Sequence, residues 1–234
     1  NKFATPNNIL LGPLVKVHVV KNEIKEALDK FEEICLKHRA TPWKNELACK
    51  LIQIEDAENL QRITDLSTDV HGEVNSLYDL VFSFIECGRI RQARKILETP
   101  GLRTKNYTRI SSICERFAEA GKPNILEGLC EATKDLNHID RSEIYSSLLS
   151  TYIKDKETDK CLEMWTKMQE EDINPTDTFL TKLADYLTGQ GVEVPFQKPI
   201  ALAPPTVPTE EVKKAKVYQS RAARPAAPVD SNNN

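Results

Sequence analysis

Apolar residues in segment 142–176 recur at helical spacing in two runs. In SEIYSSLLSTYIK they are Tyr145, Leu148, Leu149 and Tyr152, which share one stripe of a helix. In DKETDKCLEMWTKMQEEDINPT they are Leu162, Met164, Trp165 and Met168, with charged residues filling the other side. DKET supplies the turn between the runs. Pro175 lacks an amide hydrogen and biases Asn174 away from helical geometry, so the second helix is over by Asn174. The segment therefore reads as helix, turn, helix and stop.

The same plan recurs upstream. Segment 107–141 carries Ile110, Ile113, Cys114 and Phe117 at the same four offsets, then AGKPN and the helix ILEGLCEAT, with Gly121 where a left-handed residue is needed. Segment 74–106 carries Leu77, Leu80, Val81 and Phe84, then ECGRI and RQARKILE; segment 41–73 carries Lys44, Leu47, Ala48 and Leu51, then EDAENLQRITDL. Segment 8–40 carries Leu11, Leu14, Val15 and His18, followed by KNEIKEALDKFEEICLKH, and its first helix is expected to be interrupted by Pro13. A partial unit, 177–191, begins TFLTKLADYL and ends near Gly189 and Gly191. The seventh place is aliphatic in every unit: Leu14, Leu47, Leu80, Ile113, Leu148 and Leu183. Two-helix units of this length cannot bury their apolar faces alone and must stack. The expected fold is all-α, a right-handed superhelical α-solenoid of helix-turn-helix repeats. FATP at the start resembles ATP at 40–42, so residues 1–7 read as the tail of a preceding repeat.

Composition agrees with helices. The 234 residues are 40% hydrophobic and 29% charged, with 8 glycines and no Asn-Gly or Asp-Gly hairpin signal. No run of 18 apolar residues exists, so no membrane span is expected. From Val192 onward the prolines at 195, 199, 204, 205, 208, 225 and 228 mark 192–234 as a proline-rich linker or disordered tail, in which EEVKKAKVYQSRAAR reads either as disordered or as a helix that forms on a partner. Six cysteines are spread one per helical segment without a C-x-x-C pair and read as small buried hydrophobes; neither a metal nor a cofactor is expected. Gly121-Lys122 lacks the rest of a phosphate loop, and H-E-x-x-H and G-x-S-x-G are absent, so the chain does not read as an enzyme. A net charge of −3 argues against a uniformly basic nucleic-acid module.

The run LEMWTKMQEEDINPT resembles the L-x-L-F-x-x-M-x-x-x-G-I-x-P-D ending of a pentatricopeptide repeat, and CGRIRQARKIL and KNEIKEALDKFEEI resemble its turn and second helix. The tryptophan, glycine and tyrosine signature of the related tetratricopeptide repeat does not appear. Over residues 1–196, the strings PNNILLGPLVKVHVV, TPWKNELACKLIQIEDAENLQRITDLS and HGEVNSLYDLVFSFIECGRIRQARKILETPGL are similar to the C-terminal part of the leucine-rich pentatricopeptide-repeat proteins of animal mitochondria, the group that includes the insect bicoid stability factor. The resemblance implies binding of single-stranded messenger RNA in the mitochondrial matrix, with a nuclear or cytoplasmic pool as a second location. It also implies stabilisation, polyadenylation and translation of that RNA, beside a small RNA-recognition-motif partner protein and the translation machinery.

By the same resemblance, the fifth and last residues of each unit would read one base: Gly12 with Ala40, Asn45 with Glu73, Tyr78 with Asn106, Ser111 with Arg141, Ser146 with Thr176, and then Thr181. Asn, Ser and Thr can bond a Watson–Crick edge, Tyr78 offers a ring for stacking, and Gly12 with Ala40 can do neither. Arg89, Arg91, Arg94 and Lys95, with Arg103 and Lys105, read either as a phosphate-binding patch or as a solvated second helix. Glu170, Glu171 and Asp172 would repel a phosphate backbone that they faced. Two functions stay open: an RNA-binding array, and a protein-docking helical scaffold whose RNA is bound by repeats outside this fragment.

Overall fold

The computed structural model describes residues 7–103 and 107–199, with no side chains described at 103 and 107–109. Among these residues there are twelve helices and no strand: α1 (Asn8–Val20), α2 (Ile24–His38), α3 (Lys44–Gln53), α4 (Ala57–His71), α5 (Glu73–Glu86), α6 (Ile90–Leu97), α7 (Pro100–Arg103), α8 (Tyr107–Glu119), α9 (Pro123–Ala132), α10 (Arg141–Asp155), α11 (Thr158–Glu170) and α12 (Asp177–Gly189). All of them belong to one compact unit that ends at Gln197. The first helices α1, α3, α5, α8, α10 and α12 each open one of the segments read from the sequence. Each of the first five packs against the second helix that follows it, and α3, α5, α10 and α12 also pack against neighbouring first helices. This is an α-solenoid of two-helix units.

One local geometry closes every first helix. The backbone turns left-handed at Asn22, Glu55, Gly88, Gly121, Lys156 and Gly191, with φ between +55° and +75°. The next amide then donates back to the carbonyl five residues earlier: Glu23 to His18 (2.9 Å), Asp56 to Leu51 (2.9 Å), Arg89 to Phe84 (2.8 Å), Lys122 to Phe117 (3.0 Å), Glu157 to Tyr152 (2.9 Å) and Val192 to Leu187 (2.9 Å). This is the Schellman closure, which satisfies carbonyls that a helix end leaves without partners. The left-handed residues fall 33, 33, 33, 35 and 35 positions apart, so the period seen in the side chains is written into the backbone. The second helix α11 ends the same way: Asp172 takes φ +55°, and the Ile173 amide reaches the Met168 carbonyl at 2.9 Å. The helix thus stops four residues before Asn174, at a closure made without glycine.

The core divides in two. One buried cluster spans Val15 to Ile63 on α1–α4, and the other runs from Tyr78 on α5 to Leu187 on α12. Where α5 meets α3 and α4 the contacts are polar. Ser76 Oγ donates to Ser67 Oγ (2.8 Å) inside the protein, and Lys44 Nζ bonds both Ser67 Oγ (2.8 Å) and the Asp79 carboxylate. Lys44 occupies an aliphatic place in the repeat, and its side chain is only 10% exposed, so the ion pair and the hydroxyl compensate its burial.

Four expectations need correction. Helix α1 runs through Pro13 unbroken; the hydrogen bond that proline forfeits would go to Ile9, which is 84% exposed and can be solvated instead. Leu14, at the aliphatic seventh place, is 48% exposed, because α1 is apolar on all sides and only one side is covered by α2 and α3. On α5 the buried stripe is Tyr78, Val81, Phe82 and Ile85, with Leu77, Leu80 and Phe84 only half-buried. That helix is packed against α3, α4, α6, α7 and α9, so no single stripe faces the core. The segment read as a linker from Val192 begins with residues that still pack: Val192, Val194 and Phe196 lie against the core, and the Phe196 ring sits 4.6 Å from that of Trp165. The tail from 200 on lies outside the described residues.

Left-handed backbone costs a residue with a Cβ roughly 1–2 kcal/mol. Lys156→Gly is therefore expected to stabilise the fold by about 1 kcal/mol, and Gly121→Val to destabilise it by a similar or larger amount, about 1–2 kcal/mol. Urea midpoints of the two variants check both signs.

Candidate nucleic-acid interface

A groove of about 600 Å³ opens where α1, α3, α5, α8 and the end of α4 meet. Its aromatic wall is Trp43, which caps α3 in a left-handed conformation (φ +57°) that a bulky residue seldom takes. Gly12 makes room for the indole: a Cβ there would lie 3.3 Å from Trp43 Cδ1. The Lys16 ammonium stands 5.1 Å above the ring, a cation–π contact. Gly12 thus serves as a seat for Trp43, a use for this position that the repeat pattern did not suggest.

Hydrogen bonds fix the groove's polar lining. Asn8 Oδ1 accepts from the Thr41 amide (2.8 Å), and Thr41 Oγ1 is 2.6 Å from His71 Nε2. Burial, and then the nearby Lys44 charge, hold the His71 pKa below the ordinary histidine value. Asn75 Nδ2 donates to the His71 carbonyl (2.6 Å), leaving its buried Oδ1 without a partner. Asn45 is exposed at the rim, and Arg116, beside the Phe117 ring, completes the wall from α8. The groove therefore offers two aromatic rings, an amide and a guanidinium beside the Glu46 carboxylate, a mixture that suits a flat polar ring such as a nucleobase.

Of the predicted reading residues, Asn45 alone lines this groove. Tyr78 is 2% exposed and belongs to the core, so it has no face to stack on a base. Asn106 lies outside the described residues. Ser111 Oγ donates to the Glu143 carboxylate, and Ser146 Oγ donates back to the Ser142 carbonyl (2.9 Å). Thr176 caps α12, accepting from the Phe179 amide at 3.2 Å. Thr181 is half-buried on α12.

Arg141 is turned inward and 9% exposed. Its guanidinium pairs with Glu171 (2.7 Å) and donates to the Cys130 carbonyl (2.9 Å), while the Tyr145 hydroxyl donates to Glu171 (2.9 Å). A guanidinium enclosed in that pair cannot reach a base. The partner that captures it lies thirty residues further on, which no local pattern reveals.

The basic cluster on α6 does not line the groove. Arg89 pairs with Glu55 at 3.0 Å, and Arg94 pairs with Asp135 while donating to the Glu131 carbonyl (2.9 Å). Arg91 and Lys95 are exposed, with no acidic partner among the described residues. Trp43, Asn75 and Arg116 were not anticipated; each sits off the fifth and last places, in three different units. Among the described residues no group of His, Cys, Asp or Glu is arranged to hold a metal ion, and no helix is long and apolar enough to cross a membrane.

Fold and face together define a helical-repeat protein built of two-helix units. Over 197 residues, 84% of its length, the chain is 35% identical to the leucine-rich PPR motif-containing protein, mitochondrial, of Mus musculus. It is 34% identical over the same length to the proteins of that name in Xenopus tropicalis and Rattus norvegicus. No family model matches the chain. The chain is thus similar over most of its length to the leucine-rich PPR motif-containing proteins, as the residue pattern implied, and its relatives are named as mitochondrial proteins. It spans 14% of the length of these relatives.

The Arg141–Glu171 pair yields a stability prediction. Burial alone would raise the Glu171 pKa, but the Tyr145 hydroxyl and the Arg141 charge outweigh it and hold the carboxyl below the ordinary glutamate value. A depressed carboxyl contributes stability that is complete above its unfolded pKa, about 4.3, and is lost as pH falls through the lower folded value. Glu171→Gln should flatten the acid limb of the stability–pH curve. Arg141→Ala, which strands a buried carboxylate, should cost about 3–5 kcal/mol at neutral pH. Chemical denaturation across pH reads both.

Proposed function

We propose that this chain is part of a mitochondrial RNA-binding helical-repeat protein and meets single-stranded RNA in the groove walled by Trp43 and Arg116. The observation that carries this reading is the convergence there of Trp43, Phe117, Asn45 and Arg116. The similarity to leucine-rich PPR motif-containing proteins supports the same class. On this reading the RNA is messenger RNA in the mitochondrial matrix, which the protein stabilises and whose polyadenylation and translation it supports. A small RNA-recognition-motif partner and the translation machinery act beside it. Asn45 contacts a base edge and Arg116 a phosphate.

A second, competing reading is favoured by segments 107–141 and 142–176. The side chains at their fifth and last places are spent on internal bonds: Ser111 to Glu143, Arg141 to Glu171, Ser146 to Ser142, and Thr176 to the Phe179 amide. On this alternative, which excludes the first, the array docks a protein and RNA is bound by repeats outside this fragment. Arg91 and Lys95, exposed on α6, are the remaining phosphate candidates.

Fluorescence anisotropy with short A-rich and U-rich RNAs across a salt series separates the readings. Asn45→Ala with Arg116→Ala should weaken binding roughly tenfold, a loss of about 1.4 kcal/mol. Losing one phosphate contact should reduce the logarithmic salt slope by about 0.7. Arg91→Ala with Lys95→Ala should leave affinity within about twofold, in contrast to the one-phosphate loss at Arg116. No binding at low salt would leave the protein-docking reading for the whole fragment.

A further inference from the structure

Four of the six cysteines are buried and inert, but Cys49 on α3 and Cys87 at the end of α5 are half-buried and face each other across the seam between the two cores. Their geometry is reciprocal. The Cys49 thiol donates to the Ser83 carbonyl at 3.7 Å, the same oxygen that accepts the Cys87 amide at 3.1 Å. The Cys87 thiol reaches the Cys49 carbonyl at 3.7 Å, so each thiol lies against the backbone that carries or neighbours the other. Both line an open cavity of about 380 Å³, with Glu46, Lys50 and Glu86 around it.

We propose that Cys49 and Cys87 are a redox-active dithiol, oxidised by a small-molecule disulfide of the glutathione type to an internal disulfide that staples α3 to α5. Nothing in the RNA-binding reading requires this pair. In the first step the Cys87 thiolate attacks one sulfur of glutathione disulfide, forming a mixed disulfide and releasing one glutathione thiolate, which takes up a proton. In the second, Cys49 loses its proton and attacks the Cys87 sulfur, expelling the second glutathione. The protein loses two protons and two electrons, which convert one glutathione disulfide to two glutathione thiols. The order is set by surroundings: burial and the neighbouring sulfur raise the Cys49 pKa, so this thiol acts second, when the mixed disulfide already stands beside it. Other thiols do not compete, since Cys35, Cys114, Cys130 and Cys161 are buried in the core, out of reach of a molecule the size of glutathione.

The staple would bridge the one place where the apolar core is interrupted, holding together the two helices that carry Asn45 and Asn75. The test is to incubate the full chain with oxidised glutathione and map disulfides by mass spectrometry without reduction. The expected result is a Cys49–Cys87 cross-link with the other four thiols still alkylated, and a melting temperature higher by roughly 5 °C that dithiothreitol reverses. Cys49→Ser should trap glutathione on Cys87, because the resolving thiol is gone, whereas Cys87→Ser should leave Cys49 largely unmodified. Retention of all six free thiols in the unsubstituted chain, or cross-links distributed among other cysteines, overturns the proposal. So does a Cys49→Ser protein, folded by circular dichroism, whose Cys87 takes up no glutathione.

Discussion

A first helix in this protein can end in only one way: its last free carbonyl must be met by an amide five residues on, across a residue that turns left-handed. That closure appears at His18, Leu51, Phe84, Phe117, Tyr152 and Leu187. It reverses the chain within three residues and sends the second helix back along the first. Because the closure recurs every 33 to 35 residues, the first helices come to lie in register, and equivalent positions of successive units meet on one face. The groove is a consequence of this register, since its walls come from four units that no local contact would have assembled. Three of the six turns place Asn, Glu or Lys where glycine would be easiest, so stacking of the units supplies what local preference withholds.

The second organising feature is the polar seam at α3, α4 and α5. Lys44, Ser67, Ser76 and Asp79 interrupt what would otherwise be one apolar core, and Lys44, His71 and Asp79 also line the groove. Buried polar groups cost stability unless fully bonded, and here nearly all of them are, with Asn75 Oδ1 the exception on the groove wall. Departures from the repeat pattern therefore concentrate around the candidate groove, as expected where a site is built at the expense of packing. At Arg141 and Glu171 the departure has gone the other way: a place expected to read a base has become an internal clasp.

The period was legible because it is carried twice, by apolar offsets and by turn chemistry, and Gly121 and the Ile-Asn-Pro-Thr stop both announced it. Tyr145, Leu148, Leu149 and Tyr152 are all buried as their spacing required. On α5, where nearly every side is covered, the same spacing could not choose between Leu77 and Tyr78. The site was less legible than the fold. Asn45 lies in the candidate groove and was named by its place in the unit, but Trp43, Asn75 and Arg116 meet there from three different units, and a one-dimensional pattern does not carry such separations. The inward turn of Arg141 was hidden for the same reason, its fate being decided by Glu171.

The decisive question for this chain is whether nucleic acid meets it on the face built by the first helices. Photo-crosslinking of a thiouridine-substituted single-stranded RNA, followed by mapping of the modified peptides, answers that directly. Adducts at Trp43, Asn45 and Phe117 are the predicted result. Adducts confined to the second helices around Arg91 and Lys95, or none at low salt, would contradict it.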